Sequence, residues 1–180
     1  ETSGRIAQVL KNAGERVNQG DLLTSLDTGT ISANILKAQA DLDAEIAKLN
    51  EYKNQEGTGL TEVETKKNQL VREMQNAYTV AEDSIKNKTD QFFEDPDSRF
   101  PKIYFIFDNY DLRKNINEQR YQIGRILEMW QTWAYTSNKD TYTDKTVADT
   151  KSNITQIQNY LNLVASAANQ FKSSDVYSQS

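Results

Sequence analysis

From Ile31 onward the apolar residues recur in steps of three and four. Ile35, Ala38, Leu42, Leu49 and Tyr52 fall on the a and d places of a heptad, with Glu45 the polar exception. This pattern predicts a first helix that ends at Gly57-Thr58-Gly59. Thr61-Glu62-Val63-Glu64 then reads as a capping box, Thr61 at the N-cap and Glu64 three places on. A second helix follows to about Phe93, with Val63, Leu70, Met74, Ala77, Ala81, Ile85 and Phe92 on its apolar face. The short break makes these two an αα-hairpin. Glu94-Asp95-Pro96-Asp97-Ser98 stops the second helix. In 101–107, Pro101-Lys102-Ile103-Tyr104-Phe105-Ile106-Phe107, β-branched and aromatic residues dominate, and this predicts an extended arm before the cap Asp108-Asn109. A third helix spans about 110–135, with Leu112, Ile116, Ile123, Leu127, Trp130 and Ala134 on one face. A polar loop at 136–143 leads to the cleanest pattern of all, Val147, Ile154, Ile157, Leu161, Val164, Ala168 and Phe171. The second and fourth helices are expected to run roughly 30 residues, about 45–50 Å. The polar end, 173–180, is expected to fray.

Before Ile31 the period is different. Arg5-Ile6-Ala7-Gln8-Val9 alternates as a half-buried strand does, Arg16-Val17 is a second short run, and Leu22-Leu23-Thr24-Ser25-Leu26-Asp27 a third. Asn12-Ala13-Gly14 and Asn18-Gln19-Gly20-Asp21 are turns between them. The fold class that follows is mainly α: an antiparallel four-helix bundle or extended helical hairpins, with a small N-terminal β segment. The expected division is 1–30 for the β segment, 31–175 for the helices and 176–180 for a disordered tail. Amphipathic helices of this length are marginal alone, and burying each other's stripes is what makes them stable.

Composition narrows the chemistry. Of 180 residues, 37 % are hydrophobic and 26 % charged, which suits helices with solvated outer faces. The net charge of −5 argues against a general nucleic-acid binder, which needs a basic stripe to neutralise phosphates, and against a polybasic membrane-surface helix. With no cysteine and no histidine, disulfides, thiolate nucleophiles, Ser-His-Asp catalysis and His-ligated zinc are all excluded. No apolar run is long enough to span a bilayer. Glu1 is not a natural start, so the sequence reads as an excised piece of a longer chain.

The opening segment carries a spaced pattern: Gly4, Ile6, Val9, Gly14, Val17, Gly20, Asp21, Leu23, Leu26 and Asp27, running straight into the Ala- and Gln-rich stretch 32–42. This resembles the first half of a lipoyl-like β-sandwich joined to a heptad helix, the arrangement of the membrane fusion proteins, or HlyD-like periplasmic adaptors. The resemblance implies a helical insert between two halves of the β-module, with the second half following the helices; residues after Phe171 hold no such half. Leu26-Asp27-Thr28-Gly29-Thr30 lacks the lysine of carrier domains, so no cofactor is expected. The tip Gln55-Glu56-Gly57-Thr58-Gly59 lacks the Arg-Leu motif by which such adaptors dock to an outer-membrane channel. The 87–102 stretch, with Asn87-Lys88, Asp90-Gln91-Phe92-Phe93 and Phe100-Pro101-Lys102, is more similar to a helical sensory insert.

Each candidate site also has a plainer structural role. Glu94, Asp95 and Asp97 lack the turn glycine of a calcium loop and read as a solvated helix end. Asp108 and Asp111 read as helix-terminal charges rather than an acid-base pair. Trp130, Trp133 and Tyr135 fit core and core edge, with a ligand pocket between helices as the alternative. Ile103, Phe105 and Phe107 form a strand that either recruits a partner or covers the helices' end. Asn87-Lys88-Thr89 and Asn153-Ile154-Thr155 match glycosylation sequons, a pattern that carries little weight, and Thr155 is expected between core-facing positions. Arg120 and Arg125 are expected solvated or paired with Glu118 and Glu128. The surface for a ligand or partner is thus Ile103, Phe105, Phe107, Trp130 and Trp133; no catalytic, cofactor or metal residue is expected. The resemblance implies a non-enzymatic, extracytoplasmic adaptor of an export or efflux system. It would be anchored to the cytoplasmic membrane by a segment outside this chain, self-associate into oligomers, and link a transporter of ABC or RND kind to an envelope protein. The alternative is an extracytoplasmic four-helix ligand-sensing domain of a signalling receptor.

Overall fold

The computed structural model describes residues 29–54, 59–104 and 109–168, with the backbone of two strands before them. The protein is mainly helical. Strands β1 (Ile6–Val9) and β2 (Thr24–Leu26) precede helices α1 (Gly29–Asn54) and α2 (Leu60–Glu82). A π-helical turn, Asp83–Asn87, and a 3-10 turn, Asp90–Phe92, lead to β3 (Phe93–Glu94) and β4 (Lys102–Ile103), then to α3 (Tyr110–Thr136) and α4 (Asp144–Ala168). β1 pairs antiparallel with β2, Ile6 opposite Leu26 and Val9 opposite Thr24. The predicted tip, Phe105, Phe107, Asp108, Phe171 and the tail lie outside the described residues, as does the short run at Arg16-Val17.

The stripes read from the sequence form the core. Ile35, Ala38, Leu42 and Leu49 of α1, Leu70, Met74, Ala77 and Ala81 of α2, Ile116, Ile123 and Leu127 of α3, and Ile154, Ile157, Leu161 and Val164 of α4 are all buried in one cluster. Tyr78 and Tyr160 join the cluster and Val71 is buried as well, none of which the stripes include. Tyr52 and Val63 are half-buried at the edge.

Side-chain contacts between helices fix their directions. Glu64 near the start of α2 meets Lys139 after α3, Gln75 donates to the Ala134 carbonyl at 2.9 Å, and Asp90 beyond α2 meets Arg120, so α2 and α3 run oppositely. Lys53 at the end of α1 lies 5.6 Å from the Tyr142 ring, and Asp43 pairs with Lys151 at 2.7 Å, so α1 and α4 run oppositely too. Continued at the same rise per residue, this register brings the end of α4 beside the residues before α1. β2 indeed touches α4. The chain enters and leaves the helical region at the same end.

Several helix boundaries differ from the sequence reading. The residue that caps α2 is Gly59, not Thr61, with no side-chain cap; its carbonyl accepts from the amides of Glu62 and Val63. Thr61 lies inside the first turn, where its own carbonyl takes a hydrogen bond from Thr65. Glu64 is drawn away from the helix end by Lys67 at 2.9 Å and Lys139 at 2.7 Å. α2 also stops at Glu82, well before Phe93, because the chain widens into the π turn. α3 begins as expected: the Asn109 side chain accepts from the Leu112 amide at 3.0 Å. α4 begins with a reciprocal pair, Thr143 and Thr146, each accepting the other's amide on its hydroxyl. Of the expected arm, Lys102 and Ile103 form β4 and pair with β3, while 105–107 lie outside the described residues.

The Glu64 carboxyl is held far below its usual range, at about 2, by the hydrogen bonds from Lys139 and Lys67. A carboxylate with a depressed folded-state value stabilises the fold above its ordinary value of 4.5 and loses that contribution as pH falls toward about 2. Replacing Glu64 with Gln is therefore expected to lower the melting temperature at neutral pH and to leave it unchanged near pH 2. An equal difference between the two proteins at both pH values, read by thermal circular dichroism, would refute this role for Glu64.

Candidate functional site

The expected surface residues lie in two places. Ile103 is buried in β4 beside Phe93, and its amide donates to the Asn117 side chain at 3.0 Å. Trp130 and Trp133 lie farther along α3, about 20 Å from Asn117 at helical rise. The structure brings the two tryptophans together but separates them from Ile103. Phe105 and Phe107 lie outside the described residues.

Trp130 is buried and sets its ring edge-on to Tyr78, with centroids 5.6 Å apart. Trp133 is half-buried one turn on. With Met129 they form one wall of a groove of about 340 Å³, whose other wall is Thr146, Asp149, Thr150 and Asn153 of α4. Both indole N–H groups are shielded from solvent, and neither has a hydrogen-bond acceptor among the described residues. An unpartnered buried donor costs roughly 1–3 kcal/mol. Tyr135, the third aromatic of the group, is largely exposed and leans its ring edge on Tyr78.

A second cluster was not anticipated. Arg120 is fully buried, against the expectation of a solvated side chain paired with Glu118. Its Nε and Nη2 donate to the two Asp90 carboxylate oxygens at 2.6 and 2.8 Å, and Nη2 reaches Asp97 at 3.4 Å. Lys86 of the π turn also pairs with Asp97. Burial pulls the guanidinium toward losing its proton, but the Asp90 hydrogen bonds and charge outweigh this and hold its pKa above the ordinary value. The Lys86 hydrogen bond keeps the Asp97 carboxyl below its usual range. Burial pushes the nearby Tyr160 phenol up, and its hydroxyl has no partner among the described residues. The signal for this site was in the spacing: Arg120 stands four after Ile116 and three before Ile123, on the apolar face itself.

The remaining candidates are dispersed. In the acidic cluster, Glu94 stands opposite Lys102 in the β3–β4 ladder, Asp97 is taken by Lys86 and Arg120, and Asp95 makes the turn. Asp95 has φ of 48°, a left-handed conformation that Asp tolerates better than most residues, and its carbonyl accepts from the Ser98 amide. Among the described residues no three acidic side chains gather into a metal site. Asp111 is exposed in the first turn of α3. Arg125 pairs with Glu128 at 3.0 Å on an exposed face. Thr89 of the first sequon is buried, its hydroxyl donating to the Ser84 carbonyl, whereas Thr155 of the second is exposed. No helix among the described residues is long and apolar enough to cross a membrane. No family model, curated protein or solved structure matches this chain.

Gly124 sits one turn beyond Arg120, and a Cβ there would stand 3.0 Å from Nη1. Glycine to alanine inside a helix ordinarily adds about 1 kcal/mol. With the guanidinium clamped on Asp90, Gly124→Ala is expected to give no gain in urea unfolding. In an Arg120→Met background it is expected to recover the full increment. Arg120→Met alone should cost about 3–5 kcal/mol, because it leaves Asp90 buried without its counter-charge. A gain from Gly124→Ala in both backgrounds would show that the guanidinium is free to move.

Proposed function

We propose that this chain is part of an extracytoplasmic, non-enzymatic adaptor, with the helices as an antiparallel four-helix bundle growing out of a lipoyl-like β-module. The observation that carries the reading is the shared end of the helical region. Two antiparallel strands lead directly into α1, and β2 touches α4, whose last turns the register brings back to that end. An insert between two halves of a β-module must enter and leave at neighbouring points, and this geometry satisfies that requirement. The residues that pair, Ile6 with Leu26 and Val9 with Thr24, include three positions of the lipoyl-like pattern. The remaining parts of the reading come from the resemblance: anchoring to the cytoplasmic membrane, oligomerisation, and linkage of a transporter to an envelope protein.

The helical surfaces then act as a rigid arm. Leu36 on α1 and Leu60 at the start of α2 are exposed large apolar residues of the kind an arm offers to a neighbour. A second reading, an extracytoplasmic ligand sensor, is favoured by the two unpartnered indole donors at the groove between α3 and α4. A ligand there would have to present hydrogen-bond acceptors.

Photo-crosslinking residues placed at Leu36 and Leu60 of the full-length protein, in its own cell envelope, test the adaptor reading. Crosslinks to a transporter subunit and to neighbouring copies of the protein are expected. Crosslinks that instead join the protein to a signalling kinase or receptor, and respond to a small molecule, would replace it with the sensor reading.

A further inference from the structure

Phe100 is three-quarters exposed, and it does not stand alone. With Tyr110 it lines a groove of about 280 Å³ that also holds Pro101, Arg99, Lys102, Arg113, Lys114 and Asn117. Tyr104, also exposed, follows β4 beside it. Among the described residues the groove carries four cations and one carboxylate, Glu118, in a chain whose net charge is −5. Glu94 across the ladder balances Lys102, and Glu118 stands 3.9 Å from Lys114. Arg99 and Arg113 have no carboxylate partner among the described residues; each lies over a neighbouring ring, Phe100 at 5.7 Å and Tyr110 at 5.8 Å.

Two guanidinium groups resting on aromatic faces present their N–H groups outward, where a phosphate can be held by paired hydrogen bonds. Asn117 supports the same wall: its side-chain oxygen is committed to the Ile103 amide, which leaves its amide hydrogens as donors. The exposed rim decides the source of the phosphate. A soluble phosphate would gain nothing from exposed rings, whereas Phe100, Tyr104 and Tyr110 stand open to solvent, as aromatic side chains do at a membrane interface. The groove also lies at the end where the chain enters α1 and leaves α4, since it is built from the β3–β4 turn and the first turns of α3.

We infer that the Arg99–Arg113 groove docks this end of the protein on an anionic membrane surface, the guanidinium groups taking lipid phosphates and the Phe100 and Tyr110 rings entering the headgroup layer. This goes beyond the adaptor reading and does not depend on it, because an anchored sensor would use the same surface.

The test is sedimentation of the whole chain with equimolar phosphatidylglycerol–phosphatidylcholine vesicles and with pure phosphatidylcholine vesicles. Binding to the mixed vesicles alone is expected, weakening as salt rises. Arg99→Gln with Arg113→Gln should lower the partition coefficient by about 25-fold, at about fivefold for each charge. Phe100→Ser should lower it further, and Lys151→Gln, on the α1–α4 flank, should leave it unchanged. The comparison is made between variants whose circular dichroism matches that of the parent chain. Equal binding to neutral vesicles, or an unchanged partition in the Arg99/Arg113 variant, overturns the inference. So does binding of glycerol phosphate in free solution at concentrations that strip the protein from vesicles, which would make the groove a soluble-phosphate site. Tighter binding of a glutamate-rich peptide overturns it in favour of an acidic protein partner.

Discussion

The structure turns on one buried ion pair. Arg120 sits on the apolar face of α3 with Ile116 and Ile123, and the forked bond to Asp90 does most to make that place tolerable for a charge. Taking a guanidinium and a carboxylate out of water costs several kcal/mol each, and the pair returns that only when both hydrogen bonds form in good geometry. The requirement therefore dictates what the chain does after α2. Had α2 continued as a regular helix to Phe93, Asp90 would follow the helical register instead of swinging into the core. The π turn at Asp83–Asn87 and the 3-10 turn at Asp90–Phe92 rotate it there. Thr89 locks the bend with its hydroxyl on the Ser84 carbonyl, and Phe92 and Phe93 then enter the core from the turn rather than from a helix face.

The same interaction explains which parts of the fold were legible in the sequence. Helical periodicity reports burial of apolar stripes, and it located all four helices because each stripe is continuous over several turns. It failed where a polar residue occupies a stripe position. Arg120 keeps the spacing of its neighbours, but a charge at that place is read as an interruption and assigned to solvent. The end of α2 was misplaced for the related reason that Ile85 and Phe92 keep the apolar spacing through a stretch whose backbone has left the α-helix. Local capping chemistry was unreliable in both directions: Thr61 and Glu64 match a capping box, yet two lysines, one of them distant in sequence, compete for the glutamate. Asn109, with no such competitor, capped α3 as expected.

The candidate sites were less legible than the fold, because they depend on which faces meet. Trp130 and Trp133 were visible as an aromatic pair, but the α4 residues opposite them, Asp149, Thr150 and Asn153, could be named only once α3 and α4 were packed. The cationic groove is another such case. Arg99 and Arg113 lie on separate elements and come together only because the β3–β4 turn folds back on the start of α3. The aromatic residues of 101–107 predict an arm, and no local pattern joins Arg99 to Arg113.

The two functional readings make different mechanical demands on α2 and α3. A sensor that answers to a ligand near Trp130 by helix sliding needs α3 to shift along its neighbours by about 1–2 Å. Near Trp130 the contacts are adaptable: ring edges on Tyr78, and Gln75 spread over the Ala134 and Ser137 carbonyls. At Arg120 they are not. A forked pair with oxygens at 2.6 and 2.8 Å loses both bonds under a shift of that size, and it does so inside the core, where water cannot replace them. A slide of α3 begun at the tryptophan groove would therefore have to break the ion pair before it reached the end that carries the strands. Helices pinned in this way would transmit force together, which is what an adaptor arm requires and what a sliding sensor must avoid.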